Sequence, residues 1–244
     1  MIKLYNADCF DIMPMIEDKS VDAIIADLPY NTTNCHWDKL IPFEPMWEQL
    51  NRIIKPNGAI VLFGSEPFSS ALRMSNIKNY KYDLYWKKEK PTNFFQLKKR
   101  FGKNTENIII FYSKQPTYNP QKYTVDYRIS NKPKGKHKSI ITGVNKEVLP
   151  YKDDGTRYPN DILEVRRVPL GKTVHETQKP VELIDILIKS FTNENNIILD
   201  FTMGSGTTGV SAFENNRQFI GIEKEKKYYD IAVKRIQDAG GNVT

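Results

Sequence analysis

The stretch DFTMGSGTTG, residues 200–209, sets Gly204, Gly206 and Gly209 in a G-x-G-x-x-G pattern between an apolar run, NNIILD, and a helix-like segment. Glycines at these spacings let the backbone turn tightly and approach a ligand. An acid ending the next strand accepts from ribose hydroxyls. Glu223, the last residue of RQFIGIE (217–223), is that acid. The pattern alone suits a dinucleotide or S-adenosylmethionine. Its place in the chain constrains the fold. Only 35 residues follow Gly209, room for one strand and two helices. The other strands of an open α/β sheet must come from the N-terminal half, so the two halves must dock side by side.

That half reads as alternating strands and helices. VDAIIA (21–26) is a buried strand that runs into Asp27, Leu28, Pro29 and Tyr30. A helix follows near 44–54, closed by KPNG, then a strand at 58–64 and a helix at 67–76. Strands at 80–88 and 106–114 flank a basic, aromatic-containing loop, KEKPTNFFQLKKRFGKN (88–104). From 115 to 172 Pro, Gly, Asn, Lys and Tyr dominate, which predicts a partly ordered insertion between a half at 1–114 and a half at 173–244. Pro180 fits the first position of a helix whose apolar face is Val181, Ile184, Leu187, Ile188 and Phe191. Ligands in such sheets sit at strand carboxyl ends. The DLPY and glycine motifs both lie at strand ends and should face one crevice.

The formal net charge is +7, and residues 81–140 hold 15 of the 36 Lys and Arg but 4 of the 29 Asp and Glu. This block is +11 and the remainder −4, a distribution suited to a polyanion. Cys9 and Cys35 match no zinc or redox spacing, and His36, His137 and His175 lie far apart, so no metal is implied. The chain shows no secretory signal and no apolar run long enough for a bilayer, which predicts a soluble cytoplasmic protein.

Taken together, the motifs resemble those of the DNA amino-methyltransferases that modify adenine N6 or cytosine N4, in the permuted β group whose catalytic motif precedes its cofactor motif. The family's (D/N/S)-P-P-(Y/F) is matched by DLPY, 27–30. Its D-P-F-x-G-x-G-T-T is matched by DFTMGSGTT, 200–208, and its HPTQKP by HETQKP, 175–180. FIGIE (219–223) and NADCF (6–10) match two further elements. Leu28 departs from the motif's first proline, Phe201-Thr202 from Pro-Phe, and Glu176 from proline.

The resemblance implies a Rossmann-like, S-adenosylmethionine-dependent methyltransferase fold with circularly permuted motifs. It also implies a target-recognition insertion at 115–172. Asp27 and the backbone carbonyl of Leu28 would accept from the target amine, with Pro29 aiming that carbonyl. Because this acceptor is backbone, leucine does not remove it. Tyr30 would stack on a flipped base. Asp8, Cys9, Asp27, Asp200, Phe201, Gly204, Ser205, Gly206, Thr207 and Glu223 would line the cofactor site, and Lys179 would pair with the cofactor carboxylate. Lys98, Lys99, Arg100 and Lys103 are candidates for phosphate contacts, and Arg128, Arg157, Arg166 and Arg167 for base or phosphate contacts. Phe94, Phe95 or Gln96 would either enter the gap left by the flipped base or dock on apolar surface. The loop after Tyr30, NTTNCHWDK, would close over the site.

The implied partner is double-stranded DNA. Relatives of this group often pair, which makes a homodimer the implied assembly. Aspartate opening the motif favours adenine over cytosine. The alternatives are cytosine-N4 chemistry, a DNA-binding module without turnover, and a nicotinamide-dependent dehydrogenase, which the DLPY motif and basic block disfavour. A restriction system with a partner nuclease, a phage or a solitary regulator are all consistent settings.

Overall fold

The computed structural model describes residues 1–31, 35, 38–126, 135–138, 145–148, 153–169, 171, 173–174 and 178–243. In chain order the elements begin with β1 (Ile2–Asn6), α1 (Cys9–Ile12), β2 (Val21–Asp27), α2 (Phe43–Ile53), β3 (Ile54–Gly64) and α3 (Phe68–Ser75). There follow β4 (Tyr80–Lys87), β5 (Thr105–Phe111), β6 (Tyr123–Thr124), β7 (Gly135–Lys138), β8 (Asn145–Val148), β9 (Thr156–Arg157) and β10 (Ile162–Glu164). The chain ends with α4 (Val181–Phe191), β11 (Ile197–Asp200), α5 (Thr207–Glu214), β12 (Gln218–Glu223) and α6 (Lys226–Asp238).

Two compact units result, one of Met1–Asn119 with Asp161–Thr244 and the other of Pro120–Asn160. The first is built on an eight-stranded sheet of order β1-β12-β11-β2-β3-β5-β4-β10. Strands β1, β12, β11, β2 and β3 run parallel, and β5 is antiparallel to both β3 and β4. The strands of the two sequence halves meet at β11 and β2, the permuted Rossmann-like arrangement. Successive residues bury on opposite faces. Ile25, Val61, Phe63, Ile108, Ile110 and Ile198 pack with α4, α5 and α6, while Ile24, Ile60, Leu62, Ile109 and Leu199 pack with α1, α2 and α3. This two-sided burial is why these strands read as unbroken apolar runs.

Several elements differ from the sequence reading. The edge strand β1 was not anticipated, and it pairs with β12 from Ile2↔Phe219 to Asn6↔Glu223. KPNG does not form a loop after α2 but opens β3, where the pairing to β2 shifts between Val21 and Ala23. Pro56 lacks an N–H, and its strand tolerates it where the ladder is irregular. Pro180 caps α4 in extended geometry, at φ −64 and ψ 140, rather than occupying its first turn. The separate unit is also shorter than 115–172. Asn119 is tied to α4 by its N–H to Ser190 O at 2.8 Å. At the other flank, β10 pairs with β4 and Trp86 Nε1 donates to Val165 O at 2.8 Å. Hydrogen bonds hold the Asn119 flank, and strand pairing with core burial of Leu163 and Val165 holds the other. Within Pro120–Asn160, β6 pairs with β9 and β7 with β8, both antiparallel.

Candidate active site

Strands β2 and β11 lie side by side and parallel, so Asp27 and Asp200 finish neighbouring strands at the same edge. Thr202 joins the two motifs directly, its hydroxyl donating to the Asp27 carbonyl at 3.1 Å. A cleft of about 1060 Å³ opens here, lined by residues of both motifs and of the 88–92 segment.

Asp27 sits in a chain of alternating charge. Tyr30 OH donates to its Oδ1 at 2.5 Å, and the Lys179 ammonium donates to its Oδ2. Lys179 Nζ also lies 3.6 Å from Glu106 Oε2, and Lys88 pairs with Glu106 Oε1. Burial alone would lower the pKa of Lys179, but the carboxylates of Asp27 and Glu106 outweigh it and hold the ammonium above its ordinary value. Burial likewise opposes ionisation of Glu106, yet Lys179 and Lys88 bring its pKa below the usual range. Burial first, then Asp27 and Glu106, raise the pKa of Tyr30, which stays a phenol and a donor. Lys179 is thus paired with Asp27 of the DLPY segment, whereas sequence reasoning had assigned it to a cofactor carboxylate. Glu106 and Lys88 were missed. The hint in the sequence was an acid heading an otherwise apolar strand, ENIIIF.

Leu28 is 4% exposed and packs in the core beside α2 and α3. The Tyr30 ring lies 5.1 Å from that of Phe68, centroid to centroid.

In the glycine loop, Asp200 Oδ1 accepts from Thr202 N at 3.1 Å and Oδ2 from Thr208 Oγ1 at 2.7 Å. Burial, against the pull of these bonds, pushes its pKa up to about 7. Glu223 accepts from Gly204 N at 2.9 Å and from Glu225 N at 2.7 Å. Arg235 on α6, also unanticipated, donates to Ser205 O at 2.6 Å, Ser205 Oγ at 3.0 Å and Thr207 Oγ1 at 3.2 Å. Gly206 has φ +76, and a Cβ there would fall 2.7 Å from that of Ala232; it serves close packing on α6 and does not line the cleft. Phe201 is core. Asp8 caps α1 by accepting from Phe10 N and also pairs with Lys224. Burial pushes the Cys9 thiol up to about 12, which leaves it a packed apolar group.

The basic candidates separate. Lys98, Lys99 and Arg100 are exposed on the 88–104 loop, as is Arg166 near β10. Lys103 instead donates to Ser65 Oγ, and Arg167 pairs with Glu89 at 3.3 Å on the cleft wall. In the separate unit Arg157 is held by both oxygens of Asp153 at 2.8 Å. Arg128 lies outside the described residues, as do Thr32–Asn34, His36 and Trp37 of the NTTNCHWDK loop. Among the described residues, no group of three His, Cys, Asp or Glu is placed to hold a metal ion, and no helix is long and apolar enough to cross a membrane.

Residues 21–234 match the model of a family of N6 and N4 methylases described as "DNA methylase". The Type II methyltransferase M1.MboII of Moraxella bovis is 28% identical over 247 residues, covering 94% of this chain and 94% of that protein. The structure described as the M1.HpyAVI-SAM complex is similar at 29% identity and a TM-score of 0.65, covering 97% of this chain and 99% of that one. A DNA methyltransferase described as cytosine-N4-specific, PvuII, shares the fold at a TM-score of 0.70 with 15% identity, over 98% of this chain and 93% of that one.

Proposed function

We propose that this chain, which belongs to the DNA methylase family and takes S-adenosylmethionine as its cofactor, methylates the N6 amine of an adenine flipped out of duplex DNA. One observation carries the reading. The Asp27 carboxylate stands at a strand end, held by Tyr30 and Lys179 and joined through Thr202 to the glycine loop.

The cleft fits the cofactor. Each Glu223 oxygen accepts one backbone N–H and keeps a lone-pair direction open, which suits a ribose diol. Burial opposes ionisation of Asp200, and a nearby cation would favour its carboxylate form. The volume of about 1060 Å³ suits a nucleoside cofactor together with a base. When bound, S-adenosylmethionine supplies an electrophilic methyl group on a sulfonium.

The protein's task is to make a poor nucleophile attack. The lone pair of adenine N6 is delocalised into the ring, and attack requires the nitrogen to move toward tetrahedral geometry. Two acceptors on its two N–H bonds, the Asp27 carboxylate and the Leu28 carbonyl, favour that state. Lys179 and Tyr30 keep the carboxylate oriented, and Pro29 restricts the residue before it to extended backbone. Asp27 acts as an acceptor, and the amine sheds its proton to water once methylated. The Tyr30 ring offsets the stacking that the flipped base loses.

Lys98, Lys99, Arg100 and Arg166 contact phosphates in this reading, and the Pro120–Asn160 unit recognises the target within the 115–172 insertion. A cytoplasmic location and a homodimer belong to the same reading, which holds equally for an enzyme with or without a partner nuclease. Cytosine-N4 transfer is the second reading, favoured by the fold shared with the PvuII enzyme. The test is transfer from S-adenosylmethionine to unmethylated duplex DNA, followed by nucleoside mass analysis. N6-methyladenine is expected. N4-methylcytosine would overturn the base assignment, and no methylated nucleoside would overturn the reading.

A further inference from the structure

The 88–104 loop carries large apolar side chains into solvent. Phe94 is 59% exposed, Phe95 89% and Phe101 97%. Phe94 and Phe95 are therefore not docked on the apolar surface of the described residues. The Phe94–Gln96 turn stacks the two adjacent rings at 4.1 Å, and Lys98, Lys99 and Arg100 follow within five residues of Phe95. A contiguous exposed apolar patch rimmed by charge marks an interaction site.

The loop is built rather than loose. Thr92 N donates to Lys103 O at 2.8 Å, Lys103 N donates to Asn93 Oδ1 at 2.6 Å, and Asn93 Nδ2 donates to Phe101 O at 3.1 Å. Its stem lines the cleft: Lys88, Glu89, Lys90 and Thr92 are lining residues together with Tyr30. The rings therefore follow directly in the chain on a segment that lines the pocket in which the target base would sit.

We propose that Phe95, braced by Phe94, is a positioning residue that wedges into the DNA stack and fills the gap left by the flipped base. The inference rests on the DNA methyltransferase reading. The occupant follows from charge complementarity. The loop itself holds six Lys or Arg (Lys88, Lys90, Lys98, Lys99, Arg100 and Lys103) against Glu89, a balance of +5, which attracts a phosphate backbone and repels a second copy of the same loop. A flat aromatic ring reproduces the stacking that the departing base withdraws from its neighbours.

The test compares wild type with Phe95→Ala and Phe95→Trp, using single-turnover methyl transfer and the fluorescence of 2-aminopurine at the target position. Phe95 is exposed, so the substitutions leave the fold intact. Phe95→Ala is expected to slow transfer to a paired duplex about ten- to a hundredfold, the range of one aromatic stack, and to weaken the fluorescence rise. The loss is expected to shrink to within about threefold on a duplex whose target base is mispaired and already unstacked. Phe95→Trp is expected to retain transfer. An undiminished rate in Phe95→Ala, or an equal loss on both duplexes, would overturn the wedge while leaving the methyltransferase reading intact. Loss of self-association in Phe95→Ala with transfer unchanged would assign the patch to a second copy. No transfer by the wild type would overturn the underlying reading and the wedge with it.

Discussion

Asp200 provides a test of the glycine loop that needs no DNA. Its carboxyl ionises near 3.8 in an unfolded chain and near 7 in the folded protein, chiefly because it is buried. The folded state thus holds the proton more tightly. Relative to a neutral isostere, the stability Asp200 contributes is fully present below about pH 4 and is lost as pH rises toward 7. The interval from 3.8 to about 7, at roughly 1.4 kcal/mol per pH unit, corresponds to about 4 kcal/mol. The perturbation is Asp200→Asn, and the assay is urea unfolding of both proteins from pH 4 to 8. The stability of wild type minus that of the variant should fall by about 4 kcal/mol up to pH 7 and level off above it. Cofactor binding adds a second readout. A positive charge beside Asp200 favours its ionised form, so binding below pH 7 should release a proton in wild type and none in Asp200→Asn. The cofactor affinity of wild type should also rise with pH to about 7. A stability difference flat with pH, or one that grows, would refute the reasoning.

Lys179→Met leaves Asp27 and Glu106 facing each other without the cation between them. It should destabilise the protein by about 3–5 kcal/mol, read as a shift in the urea midpoint; a loss below about 1 kcal/mol would contradict the pairing. Glu223→Gln weakens the acceptor at the ribose and should raise the Kd for S-adenosylmethionine about tenfold by calorimetry, whereas a change under twofold would put the nucleoside elsewhere. Tyr30→Phe keeps the ring and should cost transfer only a few-fold, while Tyr30→Ala should cost about ten- to a hundredfold; equal losses would assign Tyr30's role to its hydroxyl.

The central strands were legible because burial on both faces turns them into unbroken runs such as IVLF and IIIF. The two halves, expected to dock because both motifs end strands, meet where β11 pairs with β2. Strand β1 was not legible, since its partner β12 lies more than 210 residues away in the chain. The pairing of Lys179 with Asp27 spans 152 residues, and the Glu106–Lys88 pair arises from the antiparallel register of β4 and β5. Neither follows from local pattern. The glycine spacing was correctly located, but Gly206 meets a neighbouring helix, a use the same spacing serves equally well. The separate unit, Pro120–Asn160, is shorter than 115–172 because its C-terminal flank docks on the sheet, with β10 paired to β4 and Leu163 and Val165 in the core.

The central claim is that Asp27 prepares the target amine for attack. Its most direct test is single-turnover methyl transfer by Asp27→Asn with S-adenosylmethionine binding measured in parallel. Removing one preorganised charged acceptor is predicted to slow transfer about 10²–10³-fold while cofactor affinity stays within a few-fold of wild type. Transfer at the wild-type rate in Asp27→Asn, with the cofactor bound normally, would contradict the account.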